Sequence, residues 1–318
     1  MSGVFLDFAT VSYDGDLNPA SLLRTLPGFV VHDLTSDAEL AGRLAGRTVA
    51  AANKVEFTRA LLTQSPSLKL VALTATGTNN VDLVAARELG IGVCNVREYC
   101  TASVVQHVFA VLLALTHRLR EYDRALKAGA WDFAGGSNAQ VFPVRELAGR
   151  TLGVVGFGTL GRGVAEIARA FGMQVILANR VGEPPAPGRL DLDALLPLAD
   201  VVTLHCPLTP ATRNLISARE LALMKPGAIL INTARGGLVD PAALAAALRS
   251  GHLGGAAIDV LTEEPPVHGS PLLAPDLVNL IVTPHTAWAA REARQRAIDE
   301  TAANIEDFLA GGRRGRVV

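Results

Sequence analysis

Short apolar runs alternate with segments of helical spacing in two successive series, and this alternation constrains the fold more than any other feature of the chain. In the first series, residues 4–8, 29–33, 49–52, 70–74 and 92–95 read as strands, and 38–45, 55–62 and 80–89 carry helical spacing. A long apolar segment, 101–119, follows as a buried or interface helix. The second series starts at Arg150. It has strands at 151–156, 174–178, 200–205, 228–233, 255–259 and 280–283, with helices at 160–171, 217–223 and 241–249 among them and a last helix at 291–309. Repeated strand–helix units predict α/β architecture: two parallel sheets, each with helices on both faces.

A length of 318 residues favours two domains, and 49% hydrophobic with 19% charged residues is enough to build both cores. The net charge of −1 argues against nucleic acid as the main partner. The three cysteines, Cys94, Cys100 and Cys206, lack metal-like spacing, and their odd number does not suggest a disulfide framework, so no metal is expected. The first residues lack the basic flank and apolar stretch of a secretion signal, and the most apolar run, 108–115, is too short to span a bilayer. A soluble cytoplasmic protein with no membrane partner is the expectation.

The run Gly156-Phe157-Gly158-Thr159-Leu160-Gly161 lies between a predicted strand and a predicted helix. Such a match is weak alone and specific in this setting. Gly156 permits the tight turn, Gly158 lets the backbone approach a pyrophosphate, and Gly161 lets helix and strand pack closely. The helix N-terminus then offers unpaired N–H groups to the phosphates. At the end of the next strand, an acidic residue would bind the adenosine ribose of NAD. Asn179 stands there instead, followed by Arg180, which can pair with a 2′-phosphate; the pair favours NADP over NAD. Enough chain precedes Gly156 for a whole domain. A nucleotide-binding domain at 101–286 is therefore predicted to be inserted into a second domain made of 1–100 and 287–318, with the active site in the cleft between them.

Three side chains past the glycine loop supply chemistry. Arg235 follows the strand 228–233, where a guanidinium can grip a carboxylate with two parallel hydrogen bonds. Glu264 and His285 each follow a predicted strand and can reach the same sheet edge. A carboxylate beside an imidazole orients the ring and favours its charged form, making it a competent general acid. The other six histidines, His32, His107, His117, His205, His252 and His268, read as structural.

These motifs, with His205-Cys206-Pro207-Leu208-Thr209, Asn232-Thr233-Ala234-Arg235-Gly236-Gly237, Asp259-Val260 and Thr283-Pro284-His285 in this order, resemble the D-isomer-specific 2-hydroxyacid dehydrogenases. Ala51-Ala52-Asn53-Lys54 and Pro284-His285-Thr286-Ala287-Trp288 are most similar to the glycerate dehydrogenases, or hydroxypyruvate reductases, of that family. The resemblance implies a Rossmann domain inserted into a flavodoxin-like substrate domain, and catalytic roles for Arg235, Glu264 and His285. It implies substrate contacts from Thr76 and Gly77 besides Arg235 and His285. Cofactor contacts fall at Thr101, Thr159, Leu160, Asn179, Arg180, Cys206, Pro207, Thr233, Ala234 and Asp259, beside the three glycines. It also implies a homodimer, with 101–119 in the region of the interface. The expected activity is reduction of a short 2-keto acid, hydroxypyruvate or glyoxylate, to the D-2-hydroxy acid. The alternatives are a broader-specificity member and a non-catalytic dinucleotide-sensing protein. Asn179 in place of an acid, and Asn79 where Asp is frequent, depart from the family pattern.

Overall fold

A computed structural model describes residues 1–129, 142–184 and 186–318, which fall into two units, Met1–Cys100 with Trp288–Val318, and Thr101–Ala287. In the first unit, β1 (Gly3–Phe5), β2 (Val30–Val31), β3 (Val49–Ala52), β4 (Leu70–Leu73) and β5 (Gly92–Cys94) form a wholly parallel sheet in the order β2-β1-β3-β4-β5. Helices α1 (Ala20–Thr25), α2 (Asp37–Leu44), α3 (Arg59–Thr63) and α4 (Leu83–Glu88) connect the strands. A parallel sheet needs crossovers, and the crossovers cover both faces, so β3 and β4 are buried at every residue. Alternate residues feed two separate cores. Ala50, Ala52, Val71 and Leu73 pack with α2 to α4, while Val49, Ala51, Leu70 and Ala72 pack with Leu22 of α1 and with Ile298, Ala302 and Ile305.

The second unit opens with α5 (Thr101–Thr116) and α6 (Leu119–Lys127). Its sheet comprises β6 (Thr151–Val155), β7 (Gln174–Leu177), β8 (Val201–Leu204), β9 (Ile229–Asn232), β10 (Gly255–Ile258) and β11 (Leu280–Val282). The strand order is β11-β10-β9-β8-β6-β7, all parallel. Helices α7 (Thr159–Ala170), α8 (Leu192–Leu195), α9 (Ala218–Leu223) and α10 (Pro241–Arg249) link them, and α11 (Arg291–Leu309) belongs to the first unit. The chain leaves β6 for β7 on one side and later returns to β8 on the other. The loop after β6 therefore lies at a topological switch point, where open parallel sheets bind ligands.

Some elements are shorter than their patterns predict. The strand expected over 4–8 stops at Phe5, because Asp7 turns away from the ladder. Its carboxylate, 3% exposed, accepts the N–H groups of Asn53 (2.9 Å), Lys54 (2.6 Å) and Val55 (3.1 Å), and residues 8–10 form a 3-10 turn. Burial pushes the Asp7 carboxyl upward in pKa against these three bonds. The helix expected over 101–119 breaks near Arg118, whose φ of 54° is left-handed, and α6 leaves at a bend of 56°. Among the described residues, no single helix is long and apolar enough to cross a membrane.

Arg294 of α11 is 4% exposed and holds the first unit's N-terminal loop to that helix. It pairs bidentately with Asp16 (2.8 and 2.6 Å), donates to the Val11 and Ala289 carbonyls, and stacks 4.1 Å over the Tyr13 ring. The guanidinium holds the Asp16 carboxyl down at about 2. Removing the guanidinium leaves the Val11 and Ala289 carbonyls and the Asp16 carboxylate without this donor. Arg294→Leu is thus expected to lower Tm by several degrees; an unchanged melting curve would show the clamp to be inert.

Candidate active site

The glycine loop lies at the C-terminal end of β6, and each glycine has a separate cause. Gly156 has φ of 96°, and a Cβ there would strike the His205–Cys206 backbone. A Cβ on Gly161 would collide with the Gly156 carbonyl, so the helix can approach the strand only without one. A Cβ on Gly158 would meet nothing within 4 Å, and Gly158 caps α7 without a side-chain hydrogen bond. The first N–H groups of α7 are thus presented over an open surface, which fits a pyrophosphate. Thr159 and Leu160 open that helix, and Thr159 Oγ1 accepts from Arg162 (3.3 Å). Thr101, the first residue of α5, lies beside α7, where a Cβ on Gly163 would come 3.5 Å from its methyl group.

Past β7, the Asn179 amide donates to Asp191 Oδ1 (2.7 Å) and its oxygen accepts from Ala186 N–H (3.1 Å). The Arg180 side chain is 78% exposed, 3.7 Å from Glu183. Arg189, which the sequence reading left out, lies 5.9 Å over the Phe157 ring of the glycine loop. Past β8 come His205, Cys206 and Pro207. His205 Nε2 bonds Thr203 Oγ1 (2.9 Å), and burial drives its pKa down to about 4. Burial raises the Cys206 thiol, and the Pro207 carbonyl accepts from Thr212 Oγ1 (2.7 Å). His205 Nδ1 and Thr233 Oγ1 are buried with no hydrogen-bond partner among the described residues. They stand one step beyond the paired residues Leu204 and Asn232, at the edge where the glycine loop lies. Orphaned polar atoms at this edge fit a polar ligand.

Arg235 follows β9 in a loop that Asn232, 1% exposed, ties together. The Asn232 side chain accepts from Ala234 N–H (3.0 Å) and donates to the Arg235 carbonyl (2.9 Å). The Arg235 guanidinium bonds the Ala234 carbonyl (2.7 Å). Gly236 is pressed against the Leu261 backbone so closely that any Cβ would overlap it, which seats the Arg235 loop on the loop that carries Glu264.

Glu264 and His285 are in contact. Glu264 Oε1 accepts Leu261 N–H (2.8 Å), and Oε2 lies 2.5 Å from His285 Nδ1. Both side chains are partly open to solvent, 34% and 29% exposed. His285 has φ of 54°, uncommon for a residue with a side chain. Asp259, 2% exposed, stabilises that conformation. Its carbonyl accepts His285 N–H (2.7 Å), and its carboxylate accepts Thr283 Oγ1–H (2.6 Å), Thr286 N–H (2.8 Å) and Ala287 N–H (2.9 Å). Thr76 and Gly77 follow β4 in the first unit, where Thr76 Oγ1 donates to the Val96 carbonyl (2.9 Å). Among the described residues, no group of three or more His, Cys, Asp or Glu could hold a metal ion.

Residues 109–287 match the family model of the D-isomer specific 2-hydroxyacid dehydrogenase NAD binding domain. The chain is 45% identical over 273 residues to glycerate dehydrogenase of Methylorubrum extorquens, covering 86% of each protein. It is 35% identical over 306 residues to hydroxypyruvate reductase of Blautia hydrogenotrophica, covering 93% of this chain and 94% of the relative. The crystal structure of TT0316 protein from Thermus thermophilus superposes with a TM-score of 0.86 at 35% identity, over the full length of both chains. Two parallel sheets, a glycine loop at a switch point and an imidazole–carboxylate pair past the same sheet define an oxidoreductase that uses a nicotinamide dinucleotide. The chain belongs to the D-isomer-specific 2-hydroxyacid dehydrogenase family.

Proposed function

We propose that this enzyme reduces a short 2-keto acid, hydroxypyruvate or glyoxylate, to the D-2-hydroxy acid, and that NADPH is the preferred reductant. One observation carries the reading: His285 Nδ1 lies 2.5 Å from Glu264 Oε2, in loops that leave the same sheet as the glycine loop. An imidazole that donates its Nδ1–H in a hydrogen bond to a carboxylate has Nε2 left for proton exchange with substrate. Glu264, held by the Leu261 amide, sets the ring's orientation and stabilises the imidazolium. The bound nicotinamide supplies the hydride in reduction and accepts it in the reverse direction. His285 delivers its proton to the carbonyl oxygen at C2 as charge develops there, and takes the hydroxyl proton back in oxidation. Arg235 turns from the Ala234 carbonyl to the substrate carboxylate, which fixes the face of the carbonyl presented for transfer. Thr76 and Gly77 are assigned as further carboxylate donors through their backbone N–H groups.

The glycerate dehydrogenase and hydroxypyruvate reductase relatives support the choice of substrate. The NADP preference is supported by the missing acid at 179 and by the exposed guanidinium of Arg180. Assay of a panel of 2-keto acids with NADPH and NADH tests both parts. Hydroxypyruvate and glyoxylate are expected to give the highest kcat/KM, with NADPH favoured by about tenfold or more, the effect of one phosphate–arginine pair. An NADH preference would remove the cofactor assignment, and no turnover of any 2-keto acid would remove the activity. A homodimer is the expected working form, and light scattering at assay concentration reads it directly.

A further inference from the structure

The loop that carries His285 is held from two sides, by Asp259 and by α5. On the α5 side, Ser103 Oγ donates to the Ala287 carbonyl (2.7 Å). Four residues on, and so on the same helix face, His107 Nε2 lies 3.2 Å from Thr283 Oγ1 and 3.8 Å from Asp259 Oδ1. One helix therefore contacts both ends of the segment Thr283 to Ala287, with the left-handed His285 between them. A backbone conformation of that kind persists when its surroundings over-determine it.

Counting protons assigns the direction of the His107 contact. Thr283 has one hydroxyl proton, and it faces the Asp259 carboxylate at 2.6 Å, a group that only accepts. The Thr283 oxygen is thus an acceptor toward His107, whose ring must carry a proton on Nε2. A proton on Nδ1 alone would set two lone pairs against each other. The chain of bonds runs His107 to Thr283 to Asp259, and from Asp259 to the backbone amides of Thr286 and Ala287.

We propose that His107, with Ser103, is a positioning residue for the proton-transferring imidazole: α5 braces both ends of the His285 loop and keeps the ring aimed. This rests on the role given to His285 above. Orientation has large leverage here, since a displacement of about 1 Å at a reacting group can cost roughly a hundredfold in rate.

The test compares His107→Phe, which keeps a ring and loses the donor, with His107→Gln, which restores an N–H near the Nε2 position. Steady-state kinetics and amide hydrogen exchange of residues 283–287 without substrate are measured for both. The Phe variant is expected to lose about tenfold or more in kcat, to keep the KM for reduced nicotinamide within about twofold, and to exchange faster in that segment alone. The Gln variant is expected to recover most of both properties. Unchanged exchange in the Phe variant, or unchanged kcat, overturns the proposal. So does equal damage in both variants with exchange raised throughout the unit, which marks a general loss of stability. Should the Phe variant not fold, Ser103→Ala carries the same exchange test at the other end of the segment. If the wild type reduces no 2-keto acid, the functional reading fails while the exchange comparison still decides the brace.

Discussion

Replacing His285 with Gln is expected to lower kcat for hydroxypyruvate reduction by about 10²- to 10⁴-fold, the range that general acid catalysis contributes. Gln can occupy similar volume and can still donate a hydrogen bond to the carbonyl oxygen. It cannot release a proton, so the alkoxide formed by hydride arrival would have to find one from water. Binding of the reduced cofactor is expected to be unaffected, because the site proposed for its phosphates, at the glycine loop and the α7 N-terminus, does not include His285. Fluorescence titration of the reduced nicotinamide separates the two effects. Loss of cofactor binding along with kcat would show that the substitution damaged the fold and did not isolate proton transfer.

The second large effect is expected at Arg235. Arg235→Lys keeps the charge and loses the fork, so one carboxylate oxygen goes unpaired and the substrate can rotate. A drop in kcat/KM of about 100-fold is expected, equivalent to roughly 2.7 kcal/mol of transition-state binding, with most of it in KM. A drop confined to kcat would mean that Arg235 acts on the transition state only. Unaltered kinetics would take it out of the site. Asn232 makes this residue sensitive to its neighbours, since it holds both the Ala234 amide and the Arg235 carbonyl.

Both sheets were legible in the sequence because parallel strands buried on two faces are continuous apolar runs. Ends were legible where a local side chain sets them. Asp240 accepts from the amides of Ala242 and Ala243 just before Pro241, so α10 begins where the pattern predicts. The glycine loop could be read for a similar reason, since Gly156 and Gly161 answer steric demands made within a few residues or by the segment after the adjoining strand, while Gly158 leaves the surface open.

What escaped the reading is long-range or conformational. Asp7 stops β1 by accepting three amides more than 40 residues away, and nothing near it in sequence signals this. Arg118 breaks the helix after Thr116 by adopting left-handed φ, which an arginine does not advertise. α1 is six residues long and buries only Leu22, too little for a periodic signal. His107 read as structural because its partners, Thr283 and Asp259, lie on the far side of the second series. Glu264 and His285 could be named from the sequence by the strands that precede them, whereas their contact, and the Asp259 clamp beneath it, required the fold.

The pH profile of kcat/KM for hydroxypyruvate reduction, in the wild type and in Glu264→Gln, tests the imidazole–carboxylate pair most directly. A neutral amide carries no charge to offset the imidazolium and orients the ring less firmly than a carboxylate, so proton delivery to the carbonyl oxygen should slow. The account predicts a maximum lowered by about tenfold or more. Superimposable profiles would contradict it, since Glu264 would then have no hold on the proton that His285 transfers.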